Sequence, residues 1–149
     1  ELQVTQIRQA LIAVELWSRR DEYVDTLSAG EYQRVRLARQ FALDREILLF
    51  DEPFSHLDPQ HVSTICNRFS QMSKQGKNIV ITSHDLNHAA RCCQRMLLLN
   101  KGVQTLFDTT EVVMNSALIR SVFKTQFISV SHPETGETQL LYPESGNFE

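Results

Sequence analysis

Two adjacent acids, Asp51 and Glu52, close the short apolar run Ile47–Phe50. Setting two carboxylates at the end of a buried segment is costly unless a cation or a proton-transfer task holds them there. In a phosphoryl-transfer site the first such acid serves Mg²⁺, often through water. The second orients and deprotonates the attacking water. Two solvated acids at the start of a loop carry the same letters, so the pair alone does not decide.

A second constellation is Leu27-Ser28-Ala29-Gly30-Glu31. Ser28 and Glu31 form an S-x-x-E capping box, which marks a helix start. A helix N-terminus presents free N–H groups and a positive dipole end to an anion. Gly30 lets a phosphate approach the backbone closely. An ordinary capped helix accounts for these letters equally well. His84 is the third candidate, just past the run Ile79–Thr82. Its imidazole could bond a phosphate or the attacking water, although a lone histidine is more often structural.

Several elements must position these residues. Val4, Ile7, Leu11 and Val14 recur at helical spacing, which predicts an amphipathic helix from residue 1 to about 18. The capped helix after Ser28 runs to about Leu43. Asp58 followed by Pro59 opens another, with Val62, Ile65, Phe69 and Met72 inward and Gly76 as the stop. Ile47–Phe50 and Ile79–Thr82 read as buried strands, and Met96–Leu99 as a third strand. Asp85 caps a helix expected through Arg95. Asn100–Gly102 turns the chain into Val103–Phe107, and Asp108 with Glu111 caps a further short helix. Phe127–Ser131 and Gln139–Tyr142 flank a turn at Glu134–Glu137 and read as a hairpin, followed by a frayed tail from Pro143 to Glu149. Strands alternating with helices imply an α/β fold with a parallel sheet, whose ligands bind at the carboxyl ends of the strands. Asp51, Glu52 and His84 all fall just past such ends.

Composition narrows the classes. The chain has 149 residues and a net charge of −3, and this mild acidity argues against a nucleic-acid binder. No apolar run approaches the ~20 residues needed to span a bilayer. The three cysteines, Cys66, Cys92 and Cys93, are not spaced as paired zinc ligands. The start at Glu1, without an initiator methionine, leads us to expect a partial sequence.

The ordered set resembles the ABC ATPase family. Leu27–Glu31 is similar to its LSGGQ signature, and Gln33-Arg34-Val35-Arg36-Leu37-Ala38-Arg39 continues the signature helix. Ile47–Pro53 matches Walker B and the glutamate after it. Ser55-His56-Leu57-Asp58 matches the D-loop, and Thr82-Ser83-His84-Asp85 the histidine switch. The resemblance covers roughly residues 1 to 110. Two letters depart from it. Ala29 stands where the signature has its first glycine, and Glu31 stands where it usually has glutamine.

The resemblance implies a P-loop NTPase-type parallel sheet with helices, here incomplete and ending in a β-hairpin. None of the five glycines belongs to a G-x-x-x-x-G-K-[ST] loop. The expected division is a helical subdomain and signature helix at 1–45, a catalytic core at 46–125, and a hairpin and tail at 126–149. The implied ligands are ATP and Mg²⁺. Ser28, Ala29, Gly30 and Glu31 would meet the ATP of an opposing subunit, and Asp58 would couple the two sites. Asp51 would serve Mg²⁺, Glu52 would be the base, and His84 would sense the γ-phosphate.

The implied partners are a second ATPase subunit in a head-to-tail homodimer, transmembrane permease subunits and, indirectly, a periplasmic or surface binding protein, with no nucleic acid. The implied location is the inner face of the cell membrane, as a peripheral cytoplasmic subunit. Ser83–Arg91 and Leu27–Leu37 look like the importer branch for cobalamin, haem and iron-siderophores, most like its cobalamin members. The implied role is the ATP-hydrolysing subunit of such an importer, with the isolated chain expected to be inactive for want of Walker A. The alternatives are a truncated inactive fragment, or a chromosome- or ribosome-associated relative. A chromosome-associated ATPase would need sustained heptads before the signature, and none are present.

Overall fold

Leu48 and Phe50 point inward from β1 (Ile47–Asp51), while Ile47, Leu49 and Asp51 lie on its exposed face. β1 pairs in parallel with β2 (Asn78–Thr82), in a register that runs from Ile47 opposite Asn78 to Asp51 opposite Thr82. That register sets the acidic end of one strand beside the hydroxyl-bearing end of the other. A computed structural model describes residues 2–134 and 136–142. The tail expected at 143–149, and Thr135 of the expected turn, lie outside the described residues. The chain forms two compact units that divide between His84 and Asp85.

The first unit holds α1 (Leu2–Ala13), α2 (Ala29–Ala42), β1, α3 (Pro59–Lys74) and β2. Its core is aromatic. Phe41 of α2, Phe50 of β1 and Phe69 of α3 meet pairwise, with Phe50 and Phe69 centroids 4.9 Å apart, and Phe54 adds an edge contact to Phe69. Each such tilted pair contributes about 0.5–1.5 kcal/mol beyond its buried area. Asp58 caps α3 through the amide of His61, with Pro59 at the first helical position. Gly76 follows the helix at φ +87, the left-handed stop that glycine supplies without strain.

α1 is shorter than its periodicity predicts, ending at Ala13 rather than near residue 18. Glu15 takes φ 59, which breaks the helical path. The inward face also differs. Val4 and Ile7 are 68% and 52% exposed, whereas Ala10, Val14 and Leu16 are buried. The buried guanidinium of Arg34 donates to the Val14 carbonyl at 3.0 Å and ties this segment to α2.

The second unit contains α4 (Leu86–Cys92), β3 (Arg95–Asn100), β4 (Val103–Thr109), α5 (Thr110–Met114), α6 (Ala117–Phe123), β5 (Ile128–Ser131) and β6 (Thr138–Leu141). α4 stops at Cys92, three residues short of the expected Arg95, which instead opens β3. β3 pairs antiparallel with β4, so among the described residues the parallel pairing is confined to β1 and β2. Thr109, not Asp108, caps α5 by accepting from the Val112 amide. α6 is an element that the pattern did not predict. β5 and β6 form the expected terminal hairpin. Phe127, just before β5, and Leu140 of β6 join Leu86, Leu98, Val113, Met114 and Ile119 in one core. Asn87 staples the hairpin to α4, exchanging two 2.9 Å hydrogen bonds with the main chain of Leu140. No helix among the described residues is long and apolar enough to cross a membrane.

Candidate active site

The parallel register brings Asp51, Glu52 and His84 together at the carboxyl ends of β1 and β2. Glu52 leaves β1 with φ 47, a left-handed conformation that is strained for a residue with a side chain. Three sets of bonds hold it there. Its amide donates to the Thr82 carbonyl at 3.2 Å. Its carbonyl accepts from Gln33 Nε2 at 2.9 Å and from the Ser55 amide at 3.3 Å. Its carboxylate oxygen Oε1 accepts from the His84 amide at 3.0 Å and lies 2.9 Å from His84 Nδ1. The His84 ring is 82% exposed and the Glu52 side chain 36%, so this pair faces solvent at the sheet edge. Asp51 sits one residue earlier, its Oδ1 accepting from the Thr82 hydroxyl.

The donor chemistry fits Mg²⁺. This hard cation prefers oxygen ligands and is held by one or two carboxylates, with substrate phosphates and water supplying the rest. Asp51 offers the carboxylate, with the Thr82 hydroxyl beside it. Among the described residues no group of three or more His, Cys, Asp or Glu side chains could hold a metal by itself.

The start of α2 is a complete capping box. Glu31 N donates to Ser28 Oγ at 3.3 Å, and Ser28 N donates to Glu31 Oε2 at 2.9 Å. The Ser28 hydroxyl also donates to Glu31 Oε2, at 2.7 Å. Arg19, in the turn before α2, pairs with Glu31 and with Glu22. The amide and hydroxyl of Ser28, together with Arg19, lower the Glu31 carboxyl to about 2. The carboxylate at the helix mouth is therefore neutralised by Arg19 rather than left to repel an anion. Ala29 and Gly30 occupy the first helical turn, where amides face outward. Gly30 has a second reason to be glycine, since a side-chain carbon there would lie 2.7 Å from the His56 carbonyl oxygen.

Asp58, at the other helix start, accepts from the His61 amide and contacts His61 Nδ1, each at 2.9 Å. These bonds hold its carboxyl below the ordinary carboxylate range. The structure thus gathers Asp51, Glu52 and His84 at one point. It sets Ser28, Ala29, Gly30 and Glu31 at the α2 N-terminus and Asp58 at the α3 N-terminus. Sequence reasoning passed over Gln33, Thr82 and His61, which hold these groups in place. Gln33 and Thr82 stood inside quoted motifs, but nothing in their spacing shows which carbonyl or carboxylate they reach.

A family model for ABC transporters matches residues 2–55. The hemin import ATP-binding protein HmuV of Pseudomonas aeruginosa is 39% identical over 120 residues, covering 77% of this chain and 47% of that protein. The vitamin B12 import ATP-binding protein BtuD of Vibrio vulnificus is 32% identical over 143 residues, 91% of this chain and 56% of that protein. The chain thus spans about half the length of the curated relatives it matches. Among solved structures, an ABC transporter of metal-chelate type in an inward-facing conformation superposes with a TM-score of 0.80, at 24% identity, over 95% of this chain and 57% of that one. That likeness is one of fold. Sequence motifs, the parallel register and these relatives agree: the chain belongs to the ATPase family of ABC transporters.

Proposed function

We propose that this chain supplies the hydrolytic part of one ATP site and the signature contact of an opposing site in an ABC importer. The observation that carries this reading is the bond between His84 and Glu52 at the end of a parallel strand pair, with Asp51 alongside. Glu52 is the general base. His84, through its amide and Nδ1, fixes one carboxylate oxygen and leaves the other for the attacking water. Asp51 is the Mg²⁺ carboxylate, and a bound Mg²⁺ neutralises charge on the transferred phosphoryl group. Ser28, Ala29, Gly30 and Glu31 meet the ATP held by a second subunit, and Asp58 links the two sites. ATP-driven closure of a head-to-tail dimer then moves permease subunits at the inner face of the membrane, fed by an external binding protein. The relatives named for hemin and vitamin B12 import support a metal chelate as cargo, whether cobalamin, haem or an iron-siderophore.

The test joins this chain to a P-loop-bearing N-terminal half from the P. aeruginosa hemin relative. The fusion should hydrolyse ATP, and Glu52→Gln should retain nucleotide binding while losing about 100- to 10,000-fold in turnover. Parental turnover by a folded Glu52→Gln fusion would remove Glu52 as the base.

A further inference from the structure

We propose that Gln33 is a positioning residue that locks the signature helix of one ATP site to the catalytic glutamate of the other. This inference rests on the assignment of Glu52 as base. Gln33 lies on α2, five residues after Ser28, and is only 5% exposed. Its two polar ends are both used. Nε2 donates to the Glu52 carbonyl at 2.9 Å, and Oε1 accepts from Arg36 Nη1 at 3.0 Å. The Arg36 bond fixes the amide orientation, so the NH₂ end faces Glu52.

The carbonyl it grips belongs to a residue held at φ 47. A left-handed glutamate persists only where its surroundings over-determine it. The other restraints on Glu52 come from β2, from the loop after β1 and from His84. Gln33 supplies the one that comes from α2. If α2 shifts when its N-terminus takes up a phosphate, Gln33 carries that displacement to the Glu52 peptide. The Glu52 carboxylate then turns relative to His84. A rigid helix and one buried side chain thus form a short mechanical path between residues that serve different nucleotides. Gln33 does not touch substrate and acts only through Glu52.

Gln33→Met keeps the length and burial of the side chain and removes the donor. The first readout uses the 149-residue chain. The ¹⁵N shifts of the His84 imidazole report its Nδ1 bond to Glu52. In Gln33→Met they should move towards those of a free imidazole at the same pH. The second readout uses the fusion with a P-loop half. There kcat should fall about 10- to 100-fold with KM for ATP unchanged, as expected when a reacting group is misplaced by a fraction of an ångström to 1 Å. The Hill coefficient for ATP should also drop towards one. A residue that merely stabilises the fold would lower the melting temperature and leave the shifts, kcat per folded molecule and the Hill coefficient at parental values. That result overturns the proposal. If Gln33→Met does not fold, Gln33→Glu takes its place, since it keeps the shape and the Arg36 contact and removes the donor. Glu52→Gln is run in parallel. Turnover retained in Glu52→Gln defeats the base assignment, whereas turnover lost there but parental in Gln33→Met defeats only the role of Gln33.

Discussion

A side-chain carbon at position 30 would stand 2.7 Å from the carbonyl oxygen of His56. Gly30 therefore sits against the main chain of its own subunit, in the loop that leads to Asp58. His56 holds φ 63 there, so its carbonyl cannot turn aside without disturbing an already unusual backbone. Gly30→Ala should lower the unfolding free energy by about 1–3 kcal/mol, the usual cost of overpacking against atoms that do not yield. Urea denaturation measures it. Gly76→Ala is the control. It has open space around it but φ +87, so its cost should be only the ~1–2 kcal/mol of a left-handed alanine. A neutral Gly30→Ala would show that the His56 segment relaxes freely.

The Glu31 carboxylate gives a pH signature. Its folded value of about 2 lies below the ordinary 4.5, so its bonds to Ser28 and Arg19 add stability that is fully present above about pH 4.5. That increment is lost as pH falls towards 2. Glu31→Gln keeps a capping side chain but cannot pair with Arg19. The stability gap between parent and Glu31→Gln should be constant from pH 7 to 5 and close progressively between pH 4.5 and 2, as read by circular dichroism melts. A gap independent of pH would show that Arg19 and the cap do not stabilise the charged form.

Ser28 separates capping from ligand contact. Ser28→Ala removes the cap and should cost ~1 kcal/mol of stability. Ser28→Asn retains an N-cap acceptor, and its amide can still donate to Glu31. Asparagine is a better choice than aspartate, because the Glu31 carboxylate lies 2.7 Å from Ser28 Oγ and would repel a second acid. In the fusion with a P-loop half, Ser28→Asn should melt near the parental temperature yet fail to form an ATP-stabilised dimer by size-exclusion chromatography. Normal dimerisation would leave Ser28 as a helix cap alone.

The 149-residue chain by itself should neither turn over ATP nor bind it at micromolar concentrations. The sequence contains no G-x-x-x-x-G-K-[ST] loop, whose amides and lysine supply much of the phosphate binding. Isothermal titration with Mg-ATP and a coupled ATPase assay test this. Micromolar binding would show that the chain cradles the phosphates by another route.

Local chemistry was readable where one residue type dictates one geometry. The Ser28–Glu31 box, the Asp58–Pro59 helix start and the turn at Lys101 and Gly102 all follow from such letters. The apolar runs were less informative: Ile47–Phe50 and Ile79–Thr82 read as buried strands, yet Ile47 and Leu49 of β1 and Val80 of β2 are exposed, and of these two runs only Leu48 and Phe50 are buried. The failures share a cause. The α1 stop uses Glu15 in a conformation that glutamate rarely adopts, so no glycine announces it. Val4 and Ile7 have helical spacing, but periodicity does not say whether a neighbour covers the face. α6 is seven residues long and capped by Ser116, too short for a periodic signal. The bonds of Gln33 to Glu52 and of Thr82 to Asp51 span 19 and 31 residues of chain, and tertiary packing alone creates them.

The left-handed backbone of Glu52 has a consequence for selecting variants. Glycine adopts this conformation freely, and asparagine does so with little strain. Glu52→Gly and Glu52→Asn should therefore gain persistence in any screen that rewards resistance to heat or protease, while discarding the carboxylate proposed as the base. On that proposal a library enriched for robustness alone would converge on inert proteins at this position, so selection has to be coupled to turnover from the first round.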